Sequence, residues 1–119
     1  TNAFIVGAKR TPFGAFGGKL SNVSPAWLGG IASKAALAQL PSNVIPSSTV
    51  FGQVLYVDSS APYLARHVGH YAGLPITTPA LTINRLCGSG FQTVINAVQE
   101  IKSLFLYTSD AADDMKCED

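Results

Sequence analysis

Apolar positions along this chain switch repeatedly between the short period of a strand and the longer period of a helix. Residues 3–9, Ala3-Phe4-Ile5-Val6-Gly7-Ala8-Lys9, form a short apolar run rich in β formers, and a polar Gly-rich stretch follows it. That pattern predicts a buried strand. Thr11–Lys19 contains Pro12, Gly14, Gly17 and Gly18 and predicts a loop. Ser24 then offers a capping hydroxyl ahead of Pro25, and a helix is expected over Ala26–Leu40. Leu28, Ile31, Ala32, Ala35, Ala36 and Leu40 fall near one of its faces. Gly29 and Gly30 each cost a helix about 1 kcal/mol relative to Ala, which weakens its first turns unless something packs closely there. Pro41 and Pro46 close the segment.

The alternation continues with a second strand over Thr49–Val57 and a shorter helix over Tyr63–Tyr71, introduced by Ala61-Pro62 and ended by Gly73 and Pro75. A third strand is expected over Pro79–Asn84. A third helix is expected over Gly88–Phe105, with Phe91, Val94, Ile95, Val98 and Ile101 at helical spacing. Strand and helix in strict alternation imply a layered α/β domain with a mostly parallel sheet.

Composition agrees with this picture and narrows it. In 119 residues, 47% are hydrophobic and 13% charged, which fits one globular domain and excludes a disordered chain. The apolar runs are far shorter than the roughly 18 residues a membrane span needs. The opening residues lack the basic and apolar regions of a secretory signal, so a reducing compartment is expected. The net charge of +1 is unevenly distributed. Residues 1–105 hold seven Lys/Arg against two acids, whereas residues 106–119 hold Lys116 against five acids. The segment 106–119 reads as a solvated, disordered acidic tail. The basic excess of the body is dispersed, which argues against nucleic acid and suits an anionic small molecule.

Chemistry concentrates at one position. The Gly-rich loop at 14–18 lacks both G-x-G-x-x-G spacing and a Gly-Lys-Ser/Thr ending, so turn geometry explains it better than phosphate binding. Cys87 and Cys117 stand in unlike surroundings, which excludes a disulfide framework and a metal site built on cysteines. Cys87 follows the third strand and precedes Gly88-Ser89-Gly90 and the third helix. This is a strand-to-helix elbow at the sheet edge where open α/β folds place their ligands. The helix N-terminus behind it favours a thiolate, Gly88 and Gly90 leave room for a substrate, and amides of the first turn could hold an oxyanion. Position alone weighs a nucleophile evenly against a buried small hydrophobe.

The residues around it decide between them. Thr82-Ile83-Asn84-Arg85-Leu86-Cys87-Gly88-Ser89-Gly90-Phe91-Gln92 resembles the nucleophile segment of thiolases, and Ile5-Val6-Gly7-Ala8-Lys9-Arg10-Thr11-Pro12-Phe13-Gly14 resembles that family's first strand and loop. Tyr63-Leu64-Ala65-Arg66-His67-Val68-Gly69 is similar to the equivalent stretch of mitochondrial 3-ketoacyl-CoA thiolases. The likeness runs in register over roughly residues 3–103.

The resemblance implies a partial N-terminal half-domain of a layered thiolase-like fold over residues 1–105, and an acyltransferase of fatty-acid β-oxidation. Cys87 matches the nucleophile that carries the acyl thioester, its backbone N–H the oxyanion donor, and Gly88, Ser89 and Gly90 the active-site turn. CoA and acyl-CoA enter as substrates, with no metal and no further cofactor. The family's remaining catalytic Asn, His and second Cys lie farther along a longer chain. His67 and His70 lack the Gly-His-Pro context, and Cys117 sits among carboxylates that disfavour a thiolate. This chain is therefore expected to be inactive alone. After Lys102 the sequence departs from the family, and 106–119 looks foreign to it. A mitochondrial matrix setting is implied ahead of a peroxisomal or cytosolic one. In the family the strand Ala80–Asn84 meets its symmetry mate, so a homo-oligomeric parent is expected. The alternatives are an acetoacetyl-CoA thiolase or ketoacyl synthase relative, and a non-catalytic binding protein that retains the fold and uses its acidic tail as a partner segment.

Overall fold

A computed structural model describes the backbone of residues 2–116 and the side chains of residues 2–103. Helix α1 spans Pro25–Leu37, strand β1 Thr49–Gly52, helix α2 Leu64–Tyr71, strand β2 Ala80–Ile83 and helix α3 Ser89–Lys116, with a single 3-10 turn at Ala61–Tyr63 leading into α2. The expected order of elements from the second segment onward is the observed one.

The cap of α1 forms as its sequence dictates. Ser24 lies in extended backbone and its Oγ accepts a hydrogen bond from the Trp27 N–H at 3.1 Å, while Pro25 occupies the first turn. The helix stops at Leu37, and the chain continues through turns in which the Leu40 N–H donates to the Leu37 carbonyl before Pro41. Strands β1 and β2 are shorter than the apolar runs that contain them. They pair in parallel, with Thr49 beside Ala80 and Gly52 beside Ile83. The ladder is extended at both ends, where Thr49 N–H donates to Pro79 O and Gln53 N–H to Ile83 O.

Helices cover both faces of this sheet. Successive strand residues point to opposite sides. Phe51 packs on Ala26, Leu64 and Val68, whereas Val50 lines a groove with Thr93, Val94 and Ala97 of α3. Helices α1 and α2 therefore lie on one side of the sheet and α3 on the other. The Thr82 hydroxyl, on β2, accepts from the Ala65 N–H at 3.0 Å and ties α2 to the strand that leads to the elbow.

Three expectations are corrected. The run at 3–9 forms no strand: Phe4, Ile5 and Val6 are exposed, and the two described strands pair only with each other. A strand exists only where a second backbone accepts its ladder. Here the segment lies instead along the end of α1, where Gln39 Oε1 accepts from the Ala8 N–H at 2.9 Å.

The second correction concerns which face of α1 is buried. Ile31 and Ala35 are exposed, and the covered stripe is made of small residues, Ala26 and Gly30 foremost. A Cβ on Gly29 would stand 2.7 Å from Val68 Cγ2, and one on Gly30 would stand 2.5 Å from Tyr71 Cβ. The paired glycines let α2 approach more closely than a larger side chain permits, which answers their cost in helix propensity. Trp27 closes the same seam with its ring edge-on to Tyr71 at 5.1 Å.

Third, α3 runs past Phe105 to Lys116, since no Gly or Pro follows Gly90 to break it. Its expected apolar face is largely uncovered among the described residues, with Phe91 82% exposed and Val94, Ile95 and Ile101 also exposed. The helix rests on the sheet through its start, where Ser89 meets Gly52.

Candidate active site

The carboxyl end of β2 delivers the chain into the elbow that carries Cys87. Asn84 begins the turn: its Oδ1 accepts from the Leu86 N–H at 2.9 Å, and its Nδ2 donates to the Val54 carbonyl beyond β1 at 3.4 Å. An Asn side chain that bonds the backbone two residues on is a local turn former. Gly88 N–H donates to Arg85 O at 3.0 Å and Ser89 N–H to Leu86 O at 3.1 Å, closing the turn from which α3 starts. Leu86 lies between them in left-handed backbone, with φ of 47°.

Cys87 is exposed at the tip of this turn. The hydrogen bonds of the elbow use the amides of Arg85, Leu86, Gly88 and Ser89 and leave out that of Cys87. Among the described residues, Gly90 faces open space and Gly88 meets only Arg85. The thiol, its own N–H and the glycines after it are thus gathered at one edge of the sheet, as the sequence reading placed them.

Ser89 does more than shape the turn. It is buried, with its Oγ accepting from the Arg85 N–H at 2.9 Å and donating to the Leu86 carbonyl at 2.7 Å. The Ser-x-x-Gln spacing of Ser89 and Gln92 carries the sequence signal of a capping box and could have drawn attention to it. The structure uses these residues differently. The Gln92 N–H donates to Gly88 O, and the Gln92 side chain accepts from the Arg85 guanidinium and donates to Asn96 Oδ1, each at 2.7 Å. Gln53, just past β1, buries an Oε1 that has no hydrogen-bond partner among the described residues. Its sequence carries no signal of that.

The histidines lie elsewhere. His67 and His70, on α2, line a cavity of about 340 Å³ with Thr49 and Ala80, the first residues of the two strands. Cys87 lies past the opposite ends of those parallel strands. Within the described chain neither histidine is brought to the thiol. Arg66 at the same cavity is engaged by the chain itself, donating to the carbonyls of Ile76 and Thr78 at 3.0 and 2.6 Å. Cys117 lies outside the described residues.

Residues 3–104 match the thiolase N-terminal domain. The chain belongs to the thiolase family. It is 56% identical over 99 residues to human mitochondrial 3-ketoacyl-CoA thiolase, covering 82% of this chain and 25% of that protein. To the acetyl-CoA acetyltransferase of Yarrowia lipolytica it is 46% identical over 104 residues, covering 85% and 25% of the two chains. The structure of the human mitochondrial enzyme in complex with CoA superposes with a TM-score of 0.76 at 53% identity, over 82% of this chain and 25% of that one. A thiolase of Ascaris suum in complex with coenzyme A gives the same TM-score at 30% identity, over 84% and 26%. This thiolase chain spans about a quarter of the length of the curated relatives it matches. The partial α/β thiolase fold read from the sequence is the fold it has.

Proposed function

We propose that this chain is the nucleophile-bearing portion of a 3-ketoacyl-CoA thiolase, acting in the mitochondrion. The observation that carries the reading is the exposed Cys87 at a glycine-flanked elbow, within a segment matching the thiolase N-terminal domain. The compartment follows the mitochondrial 3-ketoacyl-CoA thiolases among its relatives. Higher identity to these than to the acetyl-CoA acetyltransferase favours the 3-ketoacyl-CoA thiolase branch of the family.

In this reading Cys87 Sγ attacks the keto carbon of a 3-ketoacyl-CoA, and the N–H of Cys87 donates to the oxygen that becomes negative. The bond between the keto carbon and the next carbon towards the CoA thioester then breaks. Its electron pair passes to the departing acetyl-CoA enolate, which takes up a proton. The shortened acyl group remains on Sγ as a thioester until the thiol of a second CoA attacks it and regenerates Cys87. Proton delivery to the enolate and proton removal from CoA require groups outside the matched segment. A parent protein of this kind is proposed to assemble as a homo-oligomer through the β2 region, where Leu81 is exposed.

The test replaces the matched quarter of the human mitochondrial enzyme with residues 3–104 of this chain. The exchanged enzyme should cleave a 3-ketoacyl-CoA in the presence of CoA, with the acyl adduct found on Cys87 by peptide mass spectrometry. Cys87→Ala should abolish both. Turnover that survives Cys87→Ala, or an adduct on another residue, would overturn the proposal.

A further inference from the structure

Leu86, the residue before Cys87, is the one non-glycine residue among those described with positive φ, at 47°. Side chains other than those of Asn and Asp seldom tolerate this backbone, and it persists only where its surroundings over-determine it. Asn84 holds the Leu86 N–H through its Oδ1 at 2.9 Å, and Ser89 supplies the constraint on the carbonyl side. Its Oγ accepts from the Arg85 N–H at 2.9 Å and donates to the Leu86 carbonyl at 2.7 Å, so one hydroxyl bridges the backbone on the two sides of the strained Cα. The Ser89 N–H adds a second bond to the same carbonyl at 3.1 Å.

The hydroxyl is itself fixed by the sheet. Ser89 is 6% exposed, and a Cβ on Gly52 would stand 2.8 Å from Ser89 Cβ and 3.0 Å from its carbonyl carbon. Gly52 ends β1. The first residue of α3 is therefore seated directly on the strand end, and its hydroxyl is aimed back into the turn rather than along the helix.

We propose that Ser89 is a positioning residue: seated on Gly52, it holds Leu86 in the left-handed conformation and so aims the Cys87 thiol. The role in acyl transfer rests on the reading of Cys87 as the nucleophile, whereas the clamp itself is tested without it. In the 119-residue chain, the rate of Cys87 alkylation by iodoacetamide is measured by peptide mass spectrometry against Cys117 as internal reference. Amide exchange by NMR follows the Arg85 N–H and the ladder amides of Thr49 and Gln53.

Ser89→Ala should speed exchange at Arg85 and slow Cys87 alkylation about fivefold, the equivalent of one net hydrogen bond, with the ladder amides still protected. Adding Leu86→Gly should restore the rate to within about twofold, because glycine enters left-handed backbone without steric cost. Adding Leu86→Ala should not. An unchanged Cys87 rate in Ser89→Ala, or equal rescue by Ala and Gly at 86, would overturn the clamp. Where Ser89→Ala also loses ladder protection the double variants still decide: Leu86→Gly must bring back ladder and rate, and Leu86→Ala must not. An exchanged enzyme that forms no acyl adduct while this alkylation pattern holds would count against the nucleophile and leave the clamp standing.

Discussion

Replacing Gly30 by Ala sets two effects of opposite sign against each other. In an isolated helix the change would stabilise α1 by about 1 kcal/mol, because Ala restricts the unfolded chain and has the highest helix propensity. In the folded protein the new Cβ would stand 2.5 Å from Tyr71 Cβ, with the Tyr71 carbonyl carbon at 3.4 Å and its Cα at 3.5 Å. The obstructing atoms are the root of a side chain and the backbone of α2, which cannot swing aside. The helices must therefore separate by the better part of an ångström. Overpacking of this kind costs about 1–3 kcal/mol. The same separation opens the small cluster of Ala26, Leu64, Val68 and Phe51 that lies along the seam. With backbone among the obstructing atoms the cost falls in the upper part of that range and outweighs propensity, so Gly30→Ala should destabilise by up to about 2 kcal/mol. For a domain of this size that lowers Tm by about 4–8 °C per kcal/mol. Thermal and urea unfolding followed by circular dichroism read the change directly. A Tm equal to or above that of the unaltered chain would refute the close approach of α1 and α2.

Gly90→Ala is the matched opposite case: none of the described residues lies within 4 Å of the new Cβ, so the variant should raise Tm, by the equivalent of up to about 1 kcal/mol, and a fall would contradict the open space described there. The 119-residue chain alone should show no CoA-dependent cleavage of acetoacetyl-CoA or of a longer 3-ketoacyl-CoA, since proton delivery to the enolate and proton removal from CoA require groups outside the matched segment. Turnover by this chain that disappears in Cys87→Ala would contradict that. The hydrogen bond from the Ser60 hydroxyl holds the exposed Asp58 carboxyl below its ordinary value of 3.8. A lowered carboxylate contributes stability above its unfolded pKa that is lost as pH falls through the folded one, so Ser60→Ala should move the Asp58 titration upwards and shrink that contribution. An NMR titration of Asp58 that does not move would disprove this cause.

Local signals carried much of the site. The elbow at Cys87 follows from an apolar run that ends at Asn84 and a helical period that begins within a few residues of it. The thiol stands exposed at that elbow, with Gly88 and Gly90 following it. Ser24 and Pro25 likewise announced the start of α1. Each of these depends on residues within one or two turns of one another, and nearest-neighbour sterics and periodicity are what a sequence states directly.

Burial depends on partners far along the chain, and there the sequence pattern misled. Leu28, Ile31 and Ala35 mark the more apolar face of α1, yet the seam runs along Ala26 and Gly30, because Val68 and Tyr71 offer closer packing to a glycine than to a branched side chain. Phe4, Ile5 and Val6 read as a strand, but a strand is a relation between two backbones, and the described sheet ends at β1 and β2. Ser89 read as one residue of a turn, and only the meeting of Gly52 with the start of α3 turned its hydroxyl back onto Leu86. The sequence by itself determined where helices and strands begin and which residue stands at the elbow, because those choices are made by neighbours along the chain. Tertiary structure alone decided which faces are buried and what holds the elbow in its strained form, because those are settled by the separation of atoms that the sequence leaves far apart.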